Sequence, residues 1–411
     1  VISLNEAVDL VLAAVRPVAA ERVPLLEALG RTAAADVVSP EDVPSFDNSA
    51  MDGFAARGAD LAGVARSDGL PIVVEIPAGS VAAEPLGPGD AARIMTGAPL
   101  PAGADTVVQA EHTEERDGRV FVRTAPAAGR NVRYAGEDVR RGDVVLPRGA
   151  ALGPAELGLL ASIGVEELAV ARRPRVAILA TGSELVPLGQ PLGPGQIRNS
   201  NSFAAWGQTL AAGAEPVLLG IAPDDPDETR RLISRALDED VTITSGGVSV
   251  GDYDFVKQIE AELGVERRFW GVATKPGKPF AFGVRDGRLV FGAPGNPVAA
   301  MVSFELYIRP ALLALQGRRD IWRPWLTAAA AEPVKATRDR VEVRRCLLAR
   351  DGRGDWRFTT TGPQGSGILR SMVLADGLVF VPSAHGGGRA GEYYLVMLLE
   401  GSRAERPPYP D

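Results

Sequence analysis

The stretch that most constrains this chain is Val241 to Asp254, VTITSGGVSVGDYD. Val241-Thr242-Ile243-Thr244 is β-branched and apolar, which predicts a buried strand. Ser245-Gly246-Gly247 then supplies backbone that, lacking Cβ at the glycines, a ligand can approach closely. Asp252 and Asp254 precede a helical pattern with Phe255, Ile259 and Leu263 on one face. Strand, glycine loop, acidic pair and helix in this order point to an open α/β sheet, whose ligands bind in the crevice at the strand ends. Glycine N–H groups suit phosphate and paired carboxylates suit Mg²⁺, so a polyphosphate with a divalent cation satisfies both halves.

Two other readings compete for the same residues. Gly247-Val248-Ser249-Val250-Gly251 spells the G-x-S-x-G nucleophile elbow, but an elbow places its serine at the strand-to-helix turn, and Ser249 stands well past Thr244. The downstream histidine, His385, falls in a β-rich tail, so a serine hydrolase is disfavoured. Asp254 also reads as a helix N-cap, which accounts for part of its role but leaves Gly246, Gly247 and Asp252 unexplained.

A chain of 411 residues predicts several domains at about 150 residues each. The net charge of −8 speaks against a nucleic-acid partner, so an anionic substrate needs local basic groups to hold it. Cys346 is the single cysteine and His112 and His385 the only histidines, which excludes a disulfide framework and histidine- or cysteine-based metal sites. No apolar run reads as membrane-spanning and Asn5, Glu6 and Asp9 do not fit a signal peptide, so the expected compartment is the cytoplasm.

Taken in order, Ser3-Leu4-Asn5-Glu6 is a capping box before a helical pattern that Pro17 ends. A short second helix is expected over Pro24 to Leu29. Pro44 to Phe54 is dense in turn formers, including Asp47, Asn48, Ser49 and Asp52-Gly53. From Pro71 to Val122 short β-runs are punctuated by Gly and Pro, and a helix follows from Pro154 to Gly164. From Arg175 strands and helices alternate, the mark of a parallel sheet. Within this region Asp225-Pro226-Asp227-Glu228 is a helix start, and Phe280–Val284 with Arg288–Phe291 is a hairpin across Asp286-Gly287. Asn296 and Pro297 begin a long apolar helix behind Gly295, a ready anion site. Pro324 to Pro333 reads as a linker before further short strands. Gly386 to Gly391 spells G-x-G-x-x-G but precedes a strand, so it is no dinucleotide fingerprint.

The expected fold class is multidomain α/β plus β. A small helical or mixed linking module comes from residues 1–45 and 140–172, and a β-rich insertion domain from 46–139. A central three-layer α/β/α domain with a mostly parallel sheet covers 173–324, and a C-terminal β-barrel-like domain covers 325–411.

The ordered motifs FDNSAMDG, IMTGA, GEDV with GD, TGSEL, QIRNSN, SGGVSVGDYD, KPGKPFAFG and PGNP resemble the molybdopterin molybdotransferases, the MoeA family, related also to the E domain of gephyrin. The resemblance spans essentially the whole chain. Phe54 stands where tyrosine is commoner and Ala293 where leucine is usual. The family's G-R-x-x-F-x-R reads Asp339-Arg340-Val341-Glu342-Val343-Arg344-Arg345, leaving Arg345 as the match for its last arginine. Gly365-Ser366-Gly367 through Ser371-Met372 matches the last polar loop, with Asp376 where asparagine is frequent.

The resemblance implies molybdenum insertion: Mg²⁺-dependent cleavage of adenylylated molybdopterin with molybdate, giving molybdenum cofactor and AMP. It implies catalytic roles for Asp52, Thr96, Asp138, Glu184, Asp225 and Asp254, with Glu184, Asp225, Asp252 and Asp254 on the metal. Gly246, Gly247, Gly295 and Asn296 would hold the pterin phosphates, and Lys275, Lys278 and Arg345 would bind molybdate. Ser245, Ser249, Pro294, Pro297 and Ser371 complete the implied substrate site. It further implies an elongated homodimer with composite active sites, a molybdopterin adenylyltransferase as a partner enzyme, and neither nucleic acid nor membrane. Two alternatives stay open. Molybdopterin adenylyltransferases share the α/β domain but resemble SGGTG followed by Arg-Asp, and a non-catalytic gephyrin-like scaffold need not keep the acidic and lysine motifs found here.

Overall fold

Val241–Ser245 is a strand buried at every position, and it lies inside a six-stranded sheet of the computed structural model, which describes residues 1–61, 68–223, 225–246, 255–384, 386–399 and 409. These residues form two compact units: Val1–Ala35 with Arg148–Gly153 and Leu168–Asp411, and Asp36–Pro147 with Pro154–Glu167.

The first unit opens with α1 (Leu4–Ala14), where the Ser3 hydroxyl accepts from the Glu6 N–H as the capping box predicts. In the segment expected as a second helix, Pro24 to Leu29, Pro24 ends a strand, Ala20–Pro24, and Leu25–Ala28 forms only a 3₁₀ turn. Pro24 has extended backbone, which leaves too few residues before Gly30 for an α-helix.

Strand and helix then alternate as β1 (Arg175–Thr181), α2 (Asn201–Ala211), β2 (Glu215–Ala222), α3 (Pro226–Ala236), β3 (Val241–Ser245), α4 (Phe255–Glu262) and β4 (Glu266–Trp270). After β5 (Thr274–Lys275) come β6 (Ala281–Arg285) and β7 (Arg288–Ala293). The sheet order is β2-β1-β3-β7-β6-β4, with the first four strands parallel and the last two pairings antiparallel. The hairpin between β6 and β7 turns at Asp286 (φ 50°) and Gly287 (φ 79°), the two left-handed positions that a tight hairpin needs. α2 leads outward from β1 to β2 and α3 returns past β1 to β3, so the winding reverses between β1 and β3. The crevice opens there.

Alternate strand residues enter different clusters, as the two-residue period requires. Val176, Ile178, Ile243 and Phe291 pack with Leu4 and Val8 of α1 and with Phe304 and Tyr307. Leu179 and Val290 pack with Ile233, Leu237, Val256 and Ile259. Phe304 and Tyr307 belong to α5 (Pro297–Leu315), whose middle, Phe304–Ile308, is wound as a π-helix. By length and hydropathy α5 could cross a membrane, which amends the reading that no apolar run is long enough; yet 83% of that window is buried inside the molecule, as in a core helix.

A closed five-stranded barrel follows, made of β8 (Trp325–Ala330), β9 (Val341–Arg350), β10 (Trp356–Thr360), β11 (Gly377–Val381) and β12 (Tyr393–Leu398), paired in the order β9-β10-β8-β12-β11 and back to β9. β8 corrects the expected linker. Pro324 and Pro333 bracket the strand rather than interrupt it, and Ala328 and Ala330 enter the barrel core beside Phe358 and Tyr394. β5 adds to the barrel as a parallel neighbour of β9, with Thr274 opposite Val341 and Lys275 opposite Glu342.

The second unit carries a six-stranded sheet in the order 106–109, 53–56, 91–94, 70–76, 119–122, 113–116. Phe54 and Val108 pack in one cluster, and Ala55 and Val107 in another, so this sheet also has two apolar faces.

Candidate functional site

Because β2, β1, β3 and β7 are parallel, their carboxyl ends share one edge. Thr181 is in register with Ala222, Ala180 with Ser245, and Ser245 with Ala293. The loops that leave this edge carry Glu184, Asp225, Ser245-Gly246 and Pro294-Gly295-Asn296.

The glycine loop is tightly seated. Gly246 has φ 96°, and a Cβ there would lie 2.3 Å from the Thr181 carbonyl oxygen. Gly295 is different: its nearest neighbour to an added Cβ is Gly246 Cα, at 4.0 Å. The two glycines therefore line adjacent backbone. Asn201 ties them together, donating from Nδ2 to Ser245 Oγ and to the Gly295 carbonyl oxygen, both at 2.8 Å. Asn201 was visible in QIRNSN but its role was not, because only the fold brings it to both loops.

Asn296 holds the N-cap position of α5 and Pro297 its first turn, as expected, but the Asn296 side chain makes no capping bond. It lines a cleft instead. This cleft, of about 480 Å³, is bounded by Lys275 to Pro279, Pro294, Asn296, Arg340, Glu342, Arg344, Arg345 and Gln364 to Ser366. The α/β loops form one wall, and β9 of the barrel with the polar loop forms the other. Lys275, Lys278, Pro294, Asn296 and Arg345 are thus brought together. Ser371 reaches the cleft only through Arg345.

Among the described residues, five cations and one carboxylate line the cleft. Glu342, 3% exposed, accepts from the Thr337 N–H (2.9 Å), the Thr337 hydroxyl (3.0 Å), Lys275 Nζ (3.0 Å) and Arg344 Nη2 (2.7 Å). Burial pushes its carboxyl up, but the Thr337 N–H, Lys275 and Arg344 outweigh burial and hold it below the usual range. Arg340 pairs with Asp339. Lys278 and Arg345 meet no carboxylate among the described residues. Arg345 is fully buried and donates from Nε to Ser371 Oγ at 2.9 Å and from Nη2 to the Gly365 carbonyl oxygen at 3.2 Å. Burial, with Arg344 nearby, pulls its guanidinium down to about 10. The Ser371 hydroxyl donates in turn to the Ile368 carbonyl oxygen at 2.6 Å. Its donor and one acceptor site are therefore occupied within the chain, and it orients Arg345.

Glu184 is exposed on the loop after β1. Asp225, also exposed, caps α3 by accepting from the Glu228 N–H at 2.8 Å. No three acidic, histidine or cysteine side chains gather into a metal-binding group among the described residues. Gly247, Ser249, Asp252 and Asp254, and His385 of the serine-hydrolase reading, lie outside the described residues. Glu184 and Asp225 leave neighbouring strands as carboxylate donors, a type that suits Mg²⁺.

In the second unit Asp52 Oδ1 accepts from both the N–H and the hydroxyl of Thr96, each at 2.7 Å, which holds this carboxyl below the usual range. Asp138 is exposed, its own N–H bonded to the Val43 carbonyl oxygen. Arg340, Glu342, Arg344 and Ser366 enter the sequence reading only as members of matched motifs, without a role, and Gln364 does not enter it at all. Their clue was the register of β5 on β9, a long-range pairing that no local pattern encodes.

Residues 2–164 match the MoeA N-terminal region (domain I and II), residues 177–314 the probable molybdopterin binding domain, and residues 327–399 the MoeA C-terminal region (domain IV). The chain is 44% identical over 387 residues to a molybdopterin molybdenumtransferase from Nostoc sp., covering 92% of this chain and 88% of that protein. It is 39% identical over 384 residues to one from Haemophilus influenzae, covering 92% and 94%. A solved structure of a molybdopterin biosynthesis MoeA protein from Pyrococcus horikoshii superposes with a TM-score of 0.83 at 29% identity, covering 97% of this chain and 100% of that one.

Proposed function

The chain belongs to the MoeA family, and we propose that it is, like its relatives, a molybdopterin molybdenumtransferase: a transferase that inserts molybdenum into molybdopterin. The observation that carries this reading is the cleft between the strand-end loops and the barrel. It offers two cations, Lys278 and Arg345, that meet no carboxylate among the described residues, and it is lined also by Pro294 and Asn296, which flank Gly295. An oxyanion and a phosphorylated pterin could occupy these as neighbours.

In this proposal the substrates are adenylylated molybdopterin and molybdate, and cleavage of the pyrophosphate releases AMP. The Ser245–Gly246 and Pro294–Pro297 loops hold the phosphates, with Asn201 fixing their spacing. Arg345 and Lys278 hold molybdate, with Ser371 orienting Arg345 and Glu342 holding Lys275. Glu184 and Asp225, joined by Asp252 and Asp254, would hold Mg²⁺, which supplies charge neutralisation at the phosphates. Asp52 and Asp138, with Thr96 fixing Asp52, act from the second unit of the other subunit in a homodimer. The chain's own tasks are positioning and charge neutralisation.

The test is incubation of the protein with adenylylated molybdopterin, molybdate and Mg²⁺. AMP release that depends on molybdate is the expected result. An adenylyltransferase would instead consume ATP to adenylylate molybdopterin, and a scaffold would release nothing; either result would reject the proposal.

A further inference from the structure

α5 runs through the core, and its winding changes in the middle. Pro310 has no N–H, and its ring would crowd the Leu306 carbonyl of an uninterrupted α-helix. The chain answers with the π-turn Phe304–Ile308, in which the Arg309 N–H reaches back to the Phe304 carbonyl oxygen. That turn buries a carboxylate, Glu305, which is 7% exposed. Arg323 Nε donates to Glu305 Oε2 and Gln208 Nε2 to Glu305 Oε1, each at 2.9 Å. Gln208 is the one hydrogen-bond partner of Oε1 among the described residues. Gln208 Nε2 also donates to the Met301 carbonyl oxygen, at 3.2 Å, in the α-wound segment just before. One side chain of α2 thus pins α5 on both sides of the change in winding.

Gln208 stands seven residues after Asn201, about two turns, which puts both on one face of α2. Asn201 holds Gly295 just ahead of α5. α2 therefore fastens α5 at its leading end and again at the π-turn. Between these two points lie the first turn of α5 and Asn296, whose side chain makes no capping bond and lines the cleft. Losing the extra residue of the π-turn would rotate that leading segment by about 100° against the rest of the helix. We propose that Gln208 is a positioning residue for the strand-end site: by bridging the Met301 carbonyl and Glu305 it fixes the phase of the first turn of α5, and with it the place where Asn296 meets the substrate. The role rests on the reading of the cleft as the substrate site. A glutamine that served only to satisfy Glu305 would, when lost, lower stability and leave KM alone.

The experiment is steady-state AMP release by the full chain carrying Gln208→Met, Asn296→Ala or both, with thermal midpoints measured on the same proteins. Methionine keeps the length of glutamine and loses its donors. Gln208→Met should raise KM for adenylylated molybdopterin about tenfold while kcat stays within about twofold. Asn296→Ala should raise KM as well. The double variant should exceed the larger single effect by no more than about twofold, because the group that Gln208 places is then gone. Effects on KM that multiply, or a KM that Gln208→Met leaves unchanged, would overturn the proposal. Gln208→Asn withdraws the same amide by one methylene at a smaller packing cost, and it carries the same cycle if the methionine variant does not fold. A wild type that releases no AMP rejects the proposed function and this role with it, whereas an active wild type with multiplying effects rejects the role alone.

Discussion

Asp52 and Thr96 meet at one oxygen: Asp52 Oδ1 accepts both the N–H and the hydroxyl of Thr96, each at 2.7 Å. Asparagine at position 52 keeps an oxygen that can accept both bonds but loses the charge. Asp52→Asn should therefore leave the thermal unfolding midpoint near wild type while abolishing AMP release. A full-rate Asp52→Asn variant would remove Asp52 from the chemistry.

The shared-site proposal makes a quantitative prediction. Asp52→Asn and Asp254→Asn proteins should each be inactive. Mixed equally and allowed to exchange, half the dimers are heterodimers, each with one doubly mutated site and one intact site. Activity should return to about a quarter of wild type if the sites act independently. No recovery despite demonstrated exchange would mean the site is built within one chain.

The two glycines of the strand-end loops should respond oppositely. Gly246→Ala places a Cβ 2.3 Å from the Thr181 carbonyl oxygen at a φ of 96°, and should cost at least about 2 kcal/mol of stability. Gly295→Ala has 4.0 Å of room and should fold normally. If backbone at Gly295 approaches a phosphate, this variant should raise KM for adenylylated molybdopterin. Chemical denaturation and steady-state kinetics separate the two effects.

The two lysines should differ as well. Lys278→Ala removes a cation with no carboxylate partner among the described residues, and losing a charge-assisted contact of roughly 1.5–3 kcal/mol should raise the molybdate requirement about tenfold or more. Lys275 Nζ is 3.0 Å from Glu342, so Lys275→Ala should shift the molybdate requirement less. Equal shifts in molybdate titrations of AMP release would contradict this division.

Glu342 adds a pH dependence. Its carboxyl is held below its ordinary value of 4.5, so its stabilisation is complete above that value and is lost as pH falls through the lower folded value. Glu342→Gln should be less stable than wild type near neutrality, and the gap should narrow as pH falls below 4.5 and through the lower folded value. Thermal midpoints measured across pH test this, and a gap that persists at acid pH would assign it to packing instead.

Much of the α/β half was legible because its signals are local. Asp286-Gly287 dictated a hairpin, Asp225-Pro226 a helix start and Val241–Thr244 a buried strand, and all three are present. β8 was misread because its prolines look like linker punctuation until the barrel shows Ala328 and Ala330 facing its core. The cleft was half legible: KPGKP drew attention to itself, whereas Glu342 and Arg344 are unremarkable in a strand until β9 pairs with β5. Asn201 has the same history, with two bonds to loops far along the chain.

The pairing of β5 with β9 also bears on how this chain can be divided. Lys275 comes from the stretch between strands of the α/β sheet, yet its backbone runs as a strand of the barrel. The barrel is therefore no detachable cassette. Excising it would expose a strand edge beside the cleft and release the segment that carries Lys275 and leads to Lys278. A chimera that exchanges barrels between relatives should be cut so that this segment and its barrel partner travel together.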